Sequence, residues 1–191
     1  MNFLDKFNNT KNIRFESFKK TFEISEKRNL KIIVETGTSR GKIKFFFIKR
    51  HNWKDGMSTI MFAEYAKYKK GILFTCDISQ ANINASKKFT KKFSNYVSYH
   101  TEDSINFLKK FSRKIDLLYL DSLDGHDHIS ASKHQLNEIK NSINMLHSKS
   151  LVLLDDKGTK TNLSIDYLLS KNFHILFETK YQVLLSQSKN D

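Results

Sequence analysis

Apolar runs that end in an acidic residue recur along the chain. They occupy residues 32–35, 72–77, 115–121 and 151–156, and their terminal acids are Glu35, Asp77, Asp121 and the pair Asp155 and Asp156. Short runs that are apolar on both faces predict the buried parallel strands of an α/β sheet. Because ligands bind outside the carboxyl ends of such strands, we expect the acids to surround one cleft.

Segments with helical periodicity separate these runs. Phe15, Phe18, Phe22 and Ile24 give residues 1–28 an apolar face, which predicts one or two helices over an edge of the sheet or beside the cleft. Residues 163–169 predict a short helix near the end of the chain. The other helix starts are indicated by residues that cap N-termini, namely Ser58 or Thr59, Ser79, residues 101–104, and Ser132 with Gln135.

The remaining apolar stretches complete the sheet. Residues 96–100 predict a short strand, and residues 173–177 and 182–185 flank a short turn, which is typical of an antiparallel hairpin at a sheet edge. Residues 42–55 fit a loop extension, a small helix or a segment packed on the cleft. Residues 150–156 predict the fifth strand. We expect one domain over residues 1–191, with a helical cap over residues 1–29 and an α/β core over residues 30–186.

A glycine-containing loop follows the first strand. Gly37 and Gly41 come directly after the run that ends at Glu35, and glycine lets a backbone pass close to a ligand and take positive φ. Asp77 lies about 20 residues after Gly56, a spacing at which an acid commonly binds the ribose hydroxyls of an adenine nucleoside. The pattern therefore predicts a nucleotide-binding cleft.

Composition and charge limit the class of protein. The chain has 191 residues, of which 39% are hydrophobic and 28% charged, as expected for a globular domain with a sizeable core. Its one cysteine, Cys76, allows no internal disulfide and indicates a reducing, cytoplasmic setting. No apolar run is long enough to span a bilayer or to act as a signal peptide. The formal net charge of +13 favours polyanionic neighbours, although no arginine-rich tract or aromatic–basic alternation indicates single-strand binding.

The order of these elements resembles that of the class I S-adenosylmethionine-dependent methyltransferases, whose mostly parallel seven-stranded sheet ends in a reversed strand. The likeness is greatest to small stand-alone members whose first motif reads V-E-x-G-T and continues to G-x-S-T. Here these pieces are Val34-Glu35-Thr36-Gly37-Thr38 and Gly56-Met57-Ser58-Thr59, with residues 39–55 between them. The resemblance implies a Rossmann-like, doubly wound α/β fold with a C-terminal antiparallel hairpin, and S-adenosylmethionine as the cofactor.

The resemblance also implies which residues bind the cofactor. Asp77 would accept the ribose hydroxyls, and the helix that begins near Ser58 would hold the methionine carboxylate, because free N–H groups and the helix dipole favour an anion there. Asp103 could instead be a simple N-cap, and Asp77 a turn residue at a strand end. The full implied set is Glu35, Gly37, Thr38, Ser58, Thr59, Asp77, Asp103, Ser104 and Asp121.

A metal site is implied by a narrower resemblance to catechol- and sugar-type O-methyltransferases. Those enzymes hold Mg²⁺ with an acid at one strand end and an acid pair at the next, and the matching residues here are Asp121, Asp155 and Asp156. A divalent cation prefers oxygen ligands and lowers the pKa of a bound hydroxyl group. Alternatively, Asp121 contacts cofactor or substrate, and Asp155 or Asp156 caps a turn.

Candidate catalytic residues lie at and after the same strand ends, and Asp121 is one of them. His126 and His128 lie in the loop after Asp121, where a histidine could act as general base at neutral pH. Lys157 is a further candidate as base or substrate contact. Surface histidines without a role are the commoner case, and a His-x-His pair without a nearby cysteine is a poor zinc set.

These observations predict methyl transfer to a hydroxyl group of a small molecule or a sugar-type acceptor, with no membrane partner. They leave the oligomeric state open, a homodimer being plausible. An RNA methyltransferase is the first alternative because of the net charge of +13. The second is a non-catalytic protein that has kept the fold, which the separation of the two loop motifs suggests.

Overall fold

The protein is built on a seven-stranded sheet. The computed structural model describes residues 2–45, 48–53, 57–123 and 127–189, with backbone alone for 42–45 and 48–50. Its main strands are β1 (Ile32–Thr36), β4 (Ile72–Asp77), β5 (Val97–Thr101), β6 (Ile115–Leu120), β7 (Leu146–Asp155), β8 (His174–Glu178) and β9 (Gln182–Ser186). Their order across the sheet is β5-β4-β1-β6-β7-β9-β8. β5, β4, β1, β6 and β7 pair in parallel, and β9 is antiparallel to both β7 and β8. The predicted fold class is confirmed.

Helices cover both faces of this sheet. They are α1 (Phe15–Lys27), α2 (Ser58–Lys69), α3 (Gln80–Phe89), α4 (Ser104–Lys110), α5 (His128–Ser142) and α6 (Asn162–Ser170). Short 3₁₀ turns lie at Asn2–Phe7, Lys91–Tyr96 and Ile143–Met145. None of the helices in the described part of the chain is long and apolar enough to cross a membrane.

Alternate residues of the central strands face two separate apolar cores. In β6, Leu117 and Tyr119 pack with α1 and α2, whereas Leu118 and Leu120 pack with α4, α5 and α6. This double burial explains why the central strands are apolar at nearly every position. Phe18 and Phe22 of α1 are completely buried in the first core, as the periodicity of the N-terminal segment predicts.

One predicted helix start and one predicted N-cap are wrong. α5 begins at His128 rather than at Ser132, because the Asp127 side chain accepts hydrogen bonds from the backbone N–H groups of Ile129 and Ser130. α2 is preceded by Met57, so that Ser58 and Thr59 are its first residues and not its N-cap. The Thr59 hydroxyl instead forms hydrogen bonds with Glu35 and with the backbone N–H of Ser39 in the glycine loop.

Residues 42–55 were expected to extend the loop, to form a small helix or to pack on the cleft, and the helix is contradicted for the residues described. They contain a separate antiparallel hairpin of β2 (Lys42–Phe45) and β3 (Ile48–His51). The hairpin is closed at its base by a hydrogen bond from the Asn52 N–H to the Gly41 carbonyl, 3.1 Å long. Residues 54–56, including the Gly56 of the predicted motif, lie outside the described residues.

The fifth predicted strand is longer than expected. β7 begins at Leu146 rather than at residue 150, and its first residues pair with β6 beyond a register shift between Ile115 and Leu117. Its carboxyl end, at Asp155, lies beside the end of β6. This places the predicted acids of the two strands next to each other.

Candidate functional site

Two adjoining cavities lie at the carboxyl ends of β1, β4 and β6. The larger is about 440 Å³ and the smaller about 280 Å³. Gly37, Asp77, Ile78, Ser122 and Leu123 line both. The larger is also lined by Arg14, Thr38, Ser39, Arg40, Ser58, Ser79, Asn82, Asp121 and Asp156, and the smaller by Cys76, Asp103, Ser104 and His134. The predicted convergence of strand-end acids on one cleft is therefore present for Asp77, Asp121 and Asp156.

The glycine loop passes between the ends of β4 and β6 with no room for a side chain. The Gly37 N–H donates to the Cys76 carbonyl at 2.8 Å, and φ at Gly37 is +79°. A Cβ atom there would lie 2.0 Å from the backbone oxygen of Asp121. Only glycine fits this position, because any side chain would displace the backbone that forms the cleft.

A buried carboxylate holds the loop from below. Oε2 of Glu35, which is completely buried, accepts hydrogen bonds from the hydroxyl groups of Thr59 at 2.8 Å and Thr75 at 2.6 Å. The Thr59 oxygen in turn accepts from the backbone N–H of Ser39 at 2.7 Å. Glu35 and Thr59, both predicted to bind the cofactor, do not line either cavity. They join the two loop motifs across the inserted hairpin.

Burial of Glu35 raises the pKa of its carboxyl group. Loss of hydration raises the pKa of Glu35 to about 7, and hydrogen bonds from Ser58, Thr75 and Thr59 offset part of this increase. Its second oxygen, Oε1, has no hydrogen-bond partner among the described residues. A proton on Glu35 therefore removes the cost of a buried charge near neutral pH.

The carboxylate of Asp77 is fixed at the centre of the cleft. It accepts hydrogen bonds from the backbone N–H groups of Thr38 at 3.2 Å and Ser79 at 2.7 Å. The amide of Asn82 lies 3.2 Å from both of its oxygens. Asp77 is thus held with its oxygens at the cavity, and it also satisfies the turn that leads to α3.

Two exposed apolar side chains form the mouth of the smaller cavity. Ile78 is 76% exposed and Leu123 is 42% exposed, and each follows the end of a central strand. A flat apolar group between them would remove both from water.

Polar groups form the inner end of the smaller cavity. The Asp103 side chain caps α4 by accepting from the Asn106 N–H at 3.0 Å, so the N-cap interpretation is confirmed, and Asp103 also lines the cavity. His134 Nε2 lies 2.9 Å from the Ser104 hydroxyl. A hydrogen bond with Glu138 raises the pKa of His134 above its ordinary value. Among the described histidines of the segment after β6, His134 lines the cavity and His128 does not.

The acids at the ends of β6 and β7 are paired with two basic side chains. We call Arg14, Asp121, Asp155, Asp156 and Lys160 the ion-pair cluster. Arg14 Nε lies 2.8 Å from both oxygens of Asp155, and Arg14 Nη2 lies 3.1 Å from Asp156. Lys160 Nζ lies 2.9 Å from Asp121 and 3.1 Å from Asp156. These contacts join the N-terminal segment and the turn after β7 to the floor of the cleft.

The two central carboxylates of the cluster have opposite pKa changes. Burial alone would raise the pKa of Asp155, but the Arg14 guanidinium holds it below the ordinary range. Burial, and then the charge of Asp155, raise the pKa of Asp121 well above its ordinary value, although Lys160 offsets part of this effect. Asp121 is the member of this pair that lines the cavity, and it is therefore the one able to take up a proton there.

The cluster does not fit the predicted Mg²⁺ site. No group of three or more histidine, cysteine or acidic side chains in the described ranges is arranged to hold a metal ion. Asp121, Asp155 and Asp156 are each engaged by a guanidinium or ammonium group instead. A divalent cation would have to enter against these positive charges.

Two of the other predicted catalytic residues, His128 and Lys157, do not line either cavity. His128 is exposed at the first turn of α5, and Lys157 pairs with Glu178 at 2.8 Å. His126 lies outside the described residues, as do Asp124 and Gly125. The structure therefore gives no described histidine the position expected of a general base near Asp121.

Sequence reasoning missed several residues of the cleft, and three of them hold its acids in place. Arg14 lies in the predicted helical cap, Asn82 in the first turn of α3, and Lys160 four residues after Asp156. The i, i+4 spacing of Asp156 and Lys160 is a weak signal of their contact. Arg14 carries no such signal, because its partner Asp155 is 141 positions away along the chain.

Comparison with known proteins identifies what the fold is similar to. A family model described as "Methyltransferase domain" matches residues 53–157. A search of curated protein sequences finds no significant match.

Solved structures match nearly the whole chain. One is a Streptococcus mutans protein described as a methyltransferase, in complex with S-adenosylhomocysteine. It is 10% identical, with a TM-score of 0.62 over 88% of this chain and 96% of that one. A Podospora anserina methyltransferase bound to the same compound is 13% identical, with a TM-score of 0.63 over 89% of this chain and 77% of that one. A Streptococcus thermophilus rRNA methylase is 9% identical, with a TM-score of 0.61 over 87% of this chain and 93% of that one. At these identities the likeness shows a shared fold.

Proposed function

Because this chain belongs to the methyltransferase domain family and is an S-adenosylmethionine-dependent methyltransferase, we propose that it methylates a hydroxyl group of a small molecule bound in the cleft. The observation that carries the proposal is the larger cavity, in which Asp77 and Asp121 face one space. Its volume of about 440 Å³ lies in the usual range of small-molecule sites, about 300–1,000 Å³.

The cleft residues fit the cofactor by their chemistry. Ser58 at the start of α2 and the backbone around Gly37 suit the methionine carboxylate, because unpaired N–H groups at a helix start favour an anion. Asp77 suits the ribose hydroxyls, which can donate to its fixed oxygens. The absence of space for a Cβ at Gly37 supports this assignment, since it keeps the loop backbone at the cavity surface.

The smaller cavity suits the adenine ring. Ile78 and Leu123 provide two apolar surfaces at its mouth, and Asp103 and Ser104 provide polar groups at its inner end. A purine needs this combination of apolar faces and polar edge contacts. His134, through Ser104, belongs to the same polar end.

Asp121 is the proposed proton acceptor. When bound, S-adenosylmethionine supplies an electrophilic methyl group, which an acceptor oxygen takes by direct displacement. The O–C bond forms as the S–C bond breaks, and the acceptor's proton must go to a nearby base. Asp121 lines the cavity, and its raised pKa makes it a stronger base than an ordinary carboxylate. Ser122 and Leu123 follow it at the cavity wall and help to exclude water.

The proposal does not include a metal-dependent mechanism. Lys160 bridges the predicted ligands Asp121 and Asp156. The resemblance to catechol- and sugar-type enzymes therefore does not extend to the positive charge that these acids bind. The acceptor would be oriented by hydrogen bonds from the cleft residues instead.

An RNA acceptor is the second candidate. The formal net charge of +13 would favour a polyanion, and the inserted hairpin adds Lys42, Lys44, Lys49 and Arg50 close in sequence to the glycine loop.

A non-catalytic role has lost its support, since the loop motifs that seemed separated in sequence are joined by the hydrogen bond from Ser39 to Thr59.

Calorimetry with S-adenosylhomocysteine tests the cofactor site. We expect Asp77→Asn to weaken binding by about tenfold or more, equivalent to about 1.4 kcal/mol, because two ribose contacts would lose their charged acceptor. Asp166→Asn on α6 is the matched control, since Asp166 is exposed and outside both cavities, and it should bind like the wild type. A wild-type protein that binds no S-adenosylhomocysteine would remove the basis of the proposal.

Transfer of a labelled methyl group distinguishes the two acceptor classes. The wild-type protein is incubated with methyl-labelled S-adenosylmethionine and either small-molecule extract or total RNA. We expect label in the small-molecule fraction and loss of it in Asp121→Asn. Label confined to RNA, with binding that weakens steeply as salt is raised, would favour the second candidate.

A further inference from the structure

The ion-pair cluster occupies the place where two acidic strand ends would share a metal ion. We infer that Arg14 and Lys160 act there in place of a divalent cation, as positioning residues that fix Asp121 and Asp156 at the cleft, so that the protein binds no Mg²⁺ between them. The inference deepens the proposed function and rests on it only for the role of Asp121. The contacts that support it are independent of the cofactor.

Lys160 fills the space between the two cleft acids. Its ammonium group lies 2.9 Å from Asp121 Oδ1, 3.1 Å from Asp156 Oδ2 and 3.0 Å from the Leu123 carbonyl. The ammonium donates hydrogen bonds to Asp121 and to the Leu123 carbonyl, and its contact with Asp156 is an ion pair. The side chain is only 2% exposed. Lys160 is therefore a fixed part of the site and is not free to contact a substrate directly.

The turn after β7 places Lys160 in this position. Asp156 has a positive φ of 58°, and its carbonyl accepts from the N–H groups of Thr159 and Lys160. The chain thus reverses direction immediately after the acid pair and brings the lysine back over it. A short local turn is sufficient, so no other domain or subunit is needed to supply this cation.

Arg14 completes the charge compensation from the other side. Its Nε lies 2.8 Å from both oxygens of Asp155, and its side chain is 12% exposed beside a completely buried carboxylate. Tyr119 donates a further hydrogen bond to Asp155 at 2.9 Å. Both oxygens of Asp155 are therefore engaged, and neither is available as a metal ligand without breaking a buried ion pair.

The charges of the cluster explain why a metal ion would be excluded. Three carboxylates face two permanent cations, which leaves at most one uncompensated negative charge. A divalent ion close enough to bind Asp121 and Asp156 would also lie close to the Lys160 ammonium. It could enter only if the lysine moved out of its nearly dry position.

Manganese binding to the whole protein tests the inference directly. Mn²⁺ replaces Mg²⁺ at oxygen sites and its free form is measured by electron paramagnetic resonance. We expect the wild type to show no saturable binding up to about 1 mM, the weak end of protein sites for hard cations. One ion bound per chain, with binding lost in Asp156→Asn, would overturn the inference.

Removal of the lysine charge should uncover a site. We expect Lys160→Met to bind Mn²⁺ about tenfold more tightly than the wild type or better, because Asp121 and Asp156 then face the same space without the ammonium between them. Lys160→Arg keeps the charge and is the matched control, and it should show no gain. A folded Lys160→Met protein that gains no binding would contradict the inference. If this variant does not fold, the wild-type and Asp156→Asn measurements decide the question alone.

The outcome is separable from that of the proposed function. Mn²⁺ binding is measured without cofactor or acceptor, whereas the function is tested by S-adenosylhomocysteine calorimetry. A protein that binds S-adenosylhomocysteine and also a cluster-bound Mn²⁺ would refute only the inference. A protein that binds neither would refute only the function.

Discussion

Replacing Glu35 by glutamine should change how the stability of the protein depends on pH. Glu35 is completely buried below the glycine loop, where Thr59 and Thr75 donate to one of its oxygens and the other has no partner among the described residues. Glutamine has nearly the same shape, and its carbonyl oxygen can accept the same two hydrogen bonds. The variant therefore removes the titration of this side chain with little change in packing.

The size of the effect follows from the pKa of Glu35. Burial raises it to about 7 from an ordinary value of 4.5. At about 1.4 kcal/mol for each pH unit of difference, the change amounts to about 3 kcal/mol. The folded protein keeps the proton while the unfolded chain releases it, so the free energy of unfolding falls as pH rises from about 4.5 to about 7 and then levels off. The full stabilisation is present below the unfolded-state pKa.

Urea unfolding of the protein without ligand measures this contribution. We compare wild type and Glu35→Gln at several values between about pH 5 and pH 8, where the linkage relation applies. The wild type should lose up to about 3 kcal/mol more than the variant over this interval. Glu16→Gln on the exposed side of α1 is the matched control, and its curve should run parallel to that of the wild type.

A constant difference between wild type and Glu35→Gln would refute the reasoning. It would mean that Glu35 stays ionised in the folded protein, with a compensating positive group or water close to Oε1. Glu35 would then act as a buried negative charge, whereas its surroundings indicate an uncharged side chain that supports the loop.

Three further predictions follow from the contacts of single residues. Arg14→Met should destabilise the protein by about 3 kcal/mol, the usual cost of leaving a buried carboxylate unpaired, whereas Lys19→Met on the exposed face of α1 should have little effect in the same urea titration. Gly37→Ala should abolish S-adenosylhomocysteine binding and cost about 2 kcal/mol of stability or more, because its Cβ would lie 2.0 Å from a backbone oxygen; unchanged calorimetry would contradict this. Cys76 is completely buried, and burial raises the pKa of its thiol to about 12, so a thiol reagent at mildly alkaline pH should label it only after unfolding.

The central sheet was predictable because its signal is physical and local. The strand at Ile72–Asp77 has the predicted bounds, since residues buried on both faces must be apolar and the acid after them must reach water or a partner. The first helix was predictable for the same reason, from the spacing of Phe18 and Phe22. The order of the strands across the sheet was not visible in these patterns.

The inserted hairpin was not predictable from its turn chemistry. The residues between β2 and β3 are Phe46 and Phe47, and neither is among the glycine, asparagine or aspartate residues that indicate a tight turn. β2 alternates strictly between polar and apolar residues, but it is only four residues long and β3 does not alternate. The sequence therefore showed only that residues 39–55 separate two motifs, and not that a closed hairpin lets those motifs meet through Ser39 and Thr59.

In the candidate site, the acidic residues could be predicted from the sequence and the basic residues could not. Glu35, Asp77 and Asp121 could be identified because each ends an apolar run, and in a parallel sheet such ends converge. Arg14 and Lys160 could not be identified, because they are two among 33 lysines and arginines and neither lies at the end of a strand. Their roles depend on a helix cap and on a turn, which the sequence pattern does not place over the acids.

The same acidic motif at two adjacent strand ends therefore has two physical solutions. Carboxylates held close together in a cleft need a positive charge, which can be a bound metal ion or a side chain. Both solutions are compatible with the same strand sequences. They differ in whether a basic side chain from elsewhere in the chain reaches the space between the carboxylates. Here Lys160 reaches it from the turn after β7, and Arg14 reaches the neighbouring Asp155 from the N-terminal segment. An acid pair at these strand ends thus identifies a site of concentrated negative charge, and only the position of the nearest basic residues indicates whether that site can accept a metal.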